Sequence, residues 1–268
     1  MSNTNNTETL GVILVDYRSD PSLKKALDCL ASVEKPPLDI VVIQNCPRLP
    51  PPEIPPGLSV RFLQSTRNMG FGRAVNQARQ HLQTSFLMIL NPDVALTPDA
   101  LCVLDTYLKG HPEAAIVVPK LLDMQGRLQW NVRCFYDFPT LLLRRTPLGA
   151  LCPNHPRLRR HFMSQWDHAE IREVEWALGA CMLIRSLAVP ETIFDPRFFL
   201  YFEDVDLCLR LAKQGWKVIY HPEAVAYHEH RRASQNLWSR AYFEHVKSGI
   251  LFIMKHRGFG HPTTPIHA

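Results

Sequence analysis

The chain has no apolar run of the length a membrane span needs, about 20 consecutive residues. No transmembrane helix is therefore expected. It has no G-x-x-x-x-G-K-[S/T] stretch, which excludes nucleotide hydrolysis on a P-loop. Its first apolar run ends in Tyr17-Arg18-Ser19-Asp20 without a glycine, so a dinucleotide-binding oxidoreductase loses its main support. The isolated Gly70-Phe71-Gly72 is not that fingerprint. Cys-x-x-Cys pairs are missing, and the seven cysteines are scattered, with Cys29, Cys102, Cys181 and Cys208 in apolar runs. Reduced, packing thiols in a cytoplasmic protein are expected. Lysine-rich tracts and aromatic-basic interleaving are also missing, so no nucleic-acid partner is expected. The polar start, MSNTNNTET, lacks the basic and apolar regions of a secretion signal. Residues 1–9 read as a disordered tail.

What is present is ordinary for a globular protein: 268 residues, 46% hydrophobic, 21% charged, formal net charge +5. That length supports a sizeable core. The modest positive charge permits an anionic substrate or a membrane surface and demands neither.

Apolar runs and helical periodicity alternate over the first 120 residues. Leu10–Tyr17, Asp39–Asn45, Leu58–Gln64, Ser85–Asn91 and Ala114–Leu121 read as strands, apolar on both faces. Helices are expected after Ser19-Asp20-Pro21, after Gly70-Phe71-Gly72, and over Pro98–Leu108. The proline-dense CPRLPPPEIPP between the second and third strands can form no regular element. The pattern is that of an α/β fold, an open and mostly parallel twisted sheet with helices on both faces. After Leu121 the character changes. LLDMQGRLQW suggests a hairpin, and Phe135–Ala169 reads as irregular. Glu173–Arg185 reads as strand, tight Gly179-Ala180, strand. A helix runs from FEDVDL to a stop at Gly215. KVIYHPEAVAYHEH reads as strand, turn, strand, and a terminal amphipathic helix is expected over Ser234–His256. We expect one domain over 1–268. Residues 10–120 would hold the ligand, 121–233 would be the second, catalytic half, and 234–268 a C-terminal helix and tail. No internal repeat is visible.

Polar residues fall where these strands end: Asp16, Asn45, Asp93, and later Glu203 and Asp204. In an open α/β sheet such ends converge on one crevice. A single one would be a turn former, and several together suggest a polar site. Asp93, in Asn91-Pro92-Asp93, is a weak metal ligand alone. A divalent ion on a diphosphate nevertheless needs few protein ligands, because phosphate oxygens and water fill the rest. An imidazole could supply another, and His228 and His230 follow a late strand. The bland reading of each is a surface or core histidine. Glu203 and Asp204 follow the aromatic run Phe198–Phe202, where apolar surroundings raise proton affinity and suit a general base. The bland reading is a charged first helical turn, and for Asp206 it weighs equally with the other.

In their order and spacing, VILVDYRSD, DIVVIQN, RNMGFGRAVNQA, MILNPDV, WALGACMLIR, FDPRFFLYFEDVDLCLRL and YHEH resemble the inverting, metal-dependent family 2 glycosyltransferases of GT-A fold. The chain is most similar to the rhamnosyltransferases of bacterial polysaccharide assembly. The resemblance covers residues 10 to about 230. It implies a nucleoside-diphosphate sugar as donor, dTDP-L-rhamnose or a UDP-sugar, and Mg²⁺ or Mn²⁺ as cofactor. It implies Asp93 and His228 as metal ligands, with Asn91 at the first position of the Asp-x-Asp-like motif. Tyr17, Asp20 and Asn45 would take the base and ribose, although the family's aspartate is replaced here by Gln44-Asn45. Arg67, Asn68, Gly72 and Asn76 would line the nucleotide and its phosphates. Trp176, Gly179 and Ala180 would lie beside the transferred sugar and the acceptor. Asp204 would be the catalytic base, with Glu203 beside it.

The acceptor implied is a saccharide or lipid-linked saccharide at the cytosolic face of the inner membrane. LLLRR (Leu141–Arg145) and RLRRHF (Arg157–Phe162) would either meet lipid phosphates or form a solvated loop and helix. The terminal helix would pack its apolar side on the sheet, with membrane contact or a homo-oligomer as the other readings. A nucleotidyltransferase would need a glycine-rich basic loop after the first strand, and YRSDPSL is not one. A catalytically degenerate nucleotide-sugar-binding protein is hinted at only by Gln44 and Asn91.

Overall fold

The computed structural model describes residues 9–18, 21–37, 39–47, 50–145, 149, 151–229 and 240–258. Asp20, His230 and the start expected for the terminal helix lie outside them.

Strands β1 (Leu10–Asp16), β2 (Asp39–Gln44), β3 (Val60–Gln64) and β4 (Phe86–Leu90) run parallel in the order β3-β2-β1-β4. The apolar runs are buried on both faces because helices cover both. One face sets Ile13, Ile43 and Ile89 against Ala74, Val75 and Ala78 of α2 (Phe71–Arg79). The other sets Leu14, Val42 and Met88 against Leu27 of α1 (Ser22–Ser32) and Leu104 of α3 (Ala100–Gly110). Alternate strand residues thus feed separate cores, as the two-residue side-chain period requires.

Among the described residues the sheet has ten strands, and it is mixed. β11 (Cys181–Arg185) inserts antiparallel between β4 and β6 (Ala114–Leu122). β12 (Lys217–His228) lies parallel to β6 on its other side. A short β5 (Val94–Leu96), which the sequence did not suggest, pairs antiparallel with the end of β12. The first and second halves of the chain therefore share one sheet. Because β11 is reversed, its beginning lies beside the end of β4, with Cys181 opposite Leu90. The ends of β1, β2, β4 and β12 and the beginnings of β5 and β11 all open on one side of the sheet.

The expected hairpin forms: β7 (Leu128–Gln129) pairs with β6 across a turn that places Gly126 at φ 77°. β8 (Val132–Arg133) pairs with β10 (Trp176–Ala177), while β9 (Arg172–Val174) adds to β12. Several expectations need correction. KVIYHPEAVAYH is one strand, not two. The His221–Val225 stretch is a bulge in its pairing with β6, and a bulge tolerates Pro222, which has no N–H to give. Part of the stretch expected to be irregular forms α4 (Phe138–Arg145) and α5 (Pro156–His161). Helix α6 (Glu203–Lys213) ends just before Gly215, whose φ is 84°.

The terminal helix α7 (Arg240–His256) packs, but not by its apolar side. His245, Ser248, Gly249 and Phe252 are buried, while Phe243, Val246, Ile250 and Met254 are exposed. What it packs on is aromatic. The Phe202 ring meets His245 at 5.0 Å and Phe252 at 5.5 Å, and small Gly249 and Ser248 let that ring approach. No helix among the described residues is long and apolar enough to cross a membrane. All seven cysteines are free thiols. Cys46, Cys181 and Cys208 are buried, and Cys152 is exposed.

Candidate active site

Asp93 lies between β4 and β5, just past Asn91-Pro92. The Asn91 N–H donates to the Ala180 carbonyl at 2.8 Å, which ties the end of β4 to the turn before β11. His228 ends β12 directly opposite Val94, the residue after Asp93. Its Nε2 lies 3.5 Å from an Asp93 carboxylate oxygen. The side-chain amide of Gln129 holds the imidazole from behind. Its Nε2 donates to the His228 carbonyl at 2.7 Å, which leaves its oxygen 3.0 Å from His228 Nδ1. An amide oxygen can only accept, so Nδ1 carries the proton. In the neutral ring Nε2 then turns a lone pair toward the Asp93 carboxylate. A nitrogen lone pair facing a carboxylate is a donor set suited to a divalent cation, and a hydrogen bond from behind is the usual support for an imidazole ligand. Among the described residues no cluster of three or more histidine, cysteine or acidic side chains is formed. The pair therefore suits an ion whose other ligands come from substrate and water.

Asp204 stands on the first turn of α6. Gly179 N–H donates to its Oδ2 at 3.1 Å and Val205 N–H to its Oδ1 at 2.9 Å. The turn leading into it is strained. Tyr201 and Phe202 both take left-handed φ, at 68° and 67°, although neither is glycine. Such conformations persist where packing enforces them. Here Phe202 is locked among Tyr136, His245 and Phe252, and Ser248 Oγ donates to the Leu200 carbonyl at 2.9 Å.

Glu203 faces the other way, buried behind α2, with one carboxyl oxygen unbonded. Burial first, and the Asp204 charge second, push its proton affinity well up. Burial also raises Asp204, against the pull of the Gly179 and Val205 N–H groups and of the Arg133 guanidinium. Those donors favour the carboxylate of Asp204, whereas Glu203 has nothing comparable. The pair thus holds its proton on Glu203 and its negative charge on Asp204. Asp206 is fully buried against Arg210, Lys255 and His256, an anchor between α6 and α7. Its charge belongs to the fold, as the bland reading of that position holds.

Other positions differ from expectation. Asn45 spends both amide hydrogens on Asn68 Oδ1 and the Gly70 carbonyl and accepts from Met69 N–H, so it braces the turn before α2. Asn68 also accepts from Gly70 N–H. Asn76 grips both backbone groups of Phe194, and Gly72 is buried where a Cβ would stand 2.9 Å from the Phe194 Cβ. Both residues pack α2 against the loop before α6 and do not face the crevice. Trp176 is buried, its indole N–H given to the Cys134 carbonyl at 2.9 Å and its face covered by Arg133. Tyr17 and Arg67 are exposed at the crevice side. Gln44 is buried with its amide nitrogen unbonded, which leaves it a donor to offer where Asn45 has none. Gln129 and Arg133 carry no motif and were not singled out by sequence as site residues, whereas Gln44 was named because it stands where the family has its aspartate.

Solved structures share this fold. A structure of GalNAc-T7 with UDP, GalNAc and Mn²⁺ superposes with a TM-score of 0.62 over 93% of this chain and 48% of that longer one, at 13% identity. The mannosyltransferase PcManGT of Pyrobaculum calidifontis, solved with GDP-Man and Mn²⁺, gives 0.58 over 97% and 68%, at 14% identity. The fold is the GT-A fold of glycosyltransferases. The model of the family described as glycosyltransferase like family 2 matches residues 8–242, and the chain belongs to that family. Among curated relatives, the N-acetylglucosaminyl-diphospho-decaprenol L-rhamnosyltransferase of Mycobacterium tuberculosis is 27% identical over 94% of this chain and 87% of its own length. The rhamnosyltransferase WbbL of Escherichia coli is 28% identical over 70% and 71%. The protein is a glycosyltransferase, and the resemblance read from its motifs is borne out.

Proposed function

We propose that this enzyme transfers L-rhamnose from dTDP-L-rhamnose to a lipid-linked saccharide, with inversion, at a cytosolic membrane face. The observation that carries the chemistry is the Asp204 carboxylate, fixed by the Gly179 and Val205 N–H groups beside a buried Glu203 whose proton affinity burial raises. Asp204 accepts the proton of an acceptor hydroxyl while that oxygen bonds to the anomeric carbon and the bond from that carbon to the diphosphate breaks. Asp93 and His228 would hold Mg²⁺ or Mn²⁺, which when bound neutralises charge on the departing diphosphate. Gly179 both orients Asp204 and, through Ala180, joins it to the Asn91–Asp93 turn. Base and donor are thereby held in one register. The rhamnosyltransferase relatives support the donor, and the acceptor in the name of the mycobacterial one supports a diphosphate-linked lipid acceptor.

Calorimetric titration with dTDP, UDP and GDP, each with and without Mn²⁺ or Mg²⁺, tests the donor. Metal-dependent binding of dTDP alone is expected. Preference for UDP would keep the chemistry and discard rhamnose.

A further inference from the structure

Arg133 and Arg144 come from β8 and α4 and converge on a single ring. Their guanidinium carbons lie 5.2 Å and 5.0 Å from the centre of Phe162. Arg133 also covers Trp176 at 5.2 Å, and Arg144 donates to the Tyr136 hydroxyl and approaches His161 Nε2 at 3.3 Å. Among the described residues neither arginine forms an ion pair. A carboxylate that feels Arg133 is Asp204. Two half-buried like charges on one aromatic ring repel each other, and the Arg133 guanidinium is pushed down to about 10, by burial and then by Arg144. Such a pair is stable once an anion lies between its members.

The cavity next to it, about 300 Å³ and lined by Cys134, Asp137, Arg157, Arg160 and Glu175, is different. Arg157 is already paired with Asp137 at 2.5 Å, and Arg160 and Glu175 flank the Cys134 thiol together. That cavity is charge-balanced, and the unbalanced charge lies at Arg133 and Arg144.

We infer that Arg133 and Arg144 form an anion subsite for the diphosphate of the acceptor, on the acceptor side of Asp204. The inference rests on the reading of Asp204 as the base. Arg133 pairs in register with Trp176, and Gly179 in the same short segment holds Asp204. An anion on the arginines thus lies on the same side as Asp204, near enough for Arg133 to act on both. Arg133 serves twice, binding the anion and pulling Asp204 toward its carboxylate form against burial.

The test uses inorganic pyrophosphate with the intact protein in EDTA, which silences metal-dependent binding at Asp93 and His228. Wild type is expected to bind, R144Q to bind at least about 10-fold more weakly with R144K partly restored, and R157Q to bind as wild type. Thermal unfolding checks that each variant is folded. Equal binding by wild type and R144Q would overturn the subsite. A parallel titration with dTDP and Mn²⁺ separates the two sources of diphosphate. R144Q is expected to leave it unchanged, and an equal loss there would move the anion to the donor side and overturn the acceptor assignment. Failure of the dTDP reading leaves the metal-free pyrophosphate result standing, so the two failures are distinguishable.

Discussion

Asp204 and Glu203 are neighbours in sequence with opposite surroundings, and the difference sorts their roles. Asp204 receives N–H donors and faces the crevice; Glu203 is buried and, among the described residues, has no charge partner. D204N should bind dTDP as wild type does and lose turnover by roughly 10²- to 10⁴-fold, the usual worth of a positioned base. E203Q mimics the protonated acid, so its turnover should stay within a few-fold of wild type. A collapse of E203Q in steady-state assays would show that Glu203 exchanges protons. H228A removes the imidazole that Gln129 orients, and a Mn²⁺ titration should show affinity falling by at least about 10-fold. An unchanged titration would remove His228 from the metal site. Asp93, Asp204 and His228 were legible in sequence because each sits in a motif at the edge of a regular element. Arg133 and Gln129 were not, because they lie in two-residue strands without periodicity. Their importance arises from partners far along the chain.

At the scale of elements, the buried strands and the helices between them were readable from apolar runs and helical spacing. The β12 bulge and the three-residue β5 were not, since each exists only through pairing with another strand. The terminal helix shows the same limit more sharply. Its periodic apolar side suggested the packing face, yet the small and polar side packs, because what it must accommodate is the bulky Phe202. A Cβ on Gly249 would stand 3.4 Å from that ring, tight but in contact. G249A should therefore unfold near the wild-type temperature, the gain in helix propensity offsetting the crowding. G249L overpacks the contact and should cost about 1–3 kcal/mol in denaturant unfolding. It should also lower turnover, because Phe202 sets the turn that carries Asp204. G249L with full stability and full turnover would dissociate the helix from the site.

For the whole molecule, burial holds the imidazoles of His168, His221 and His256 below their ordinary value of 6.5. The unfolded chain takes up protons at these positions near that value, and the folded chain does so only at lower pH. Stability is therefore complete above about pH 6.5 and declines as pH falls from there toward the depressed values. Asp195, held down chiefly by hydrogen bonds from Arg197 and Lys255, adds a further loss below the ordinary carboxylate value of 3.8. Thermal unfolding should show a melting temperature that drops between pH 7 and pH 5, and a flat profile there would contradict the burial of these rings. One sheet runs through both halves of the chain, and that has a consequence for synthesis on the ribosome. Asp93 emerges early, but its imidazole neighbour belongs to the strand that completes the sheet late. An unfinished chain can hold the first four strands and still lack the pair of side chains proposed to bind the metal. On the proposed reading, the order of translation would complete the Asp93–His228 pair only after the base and the acceptor side are in place.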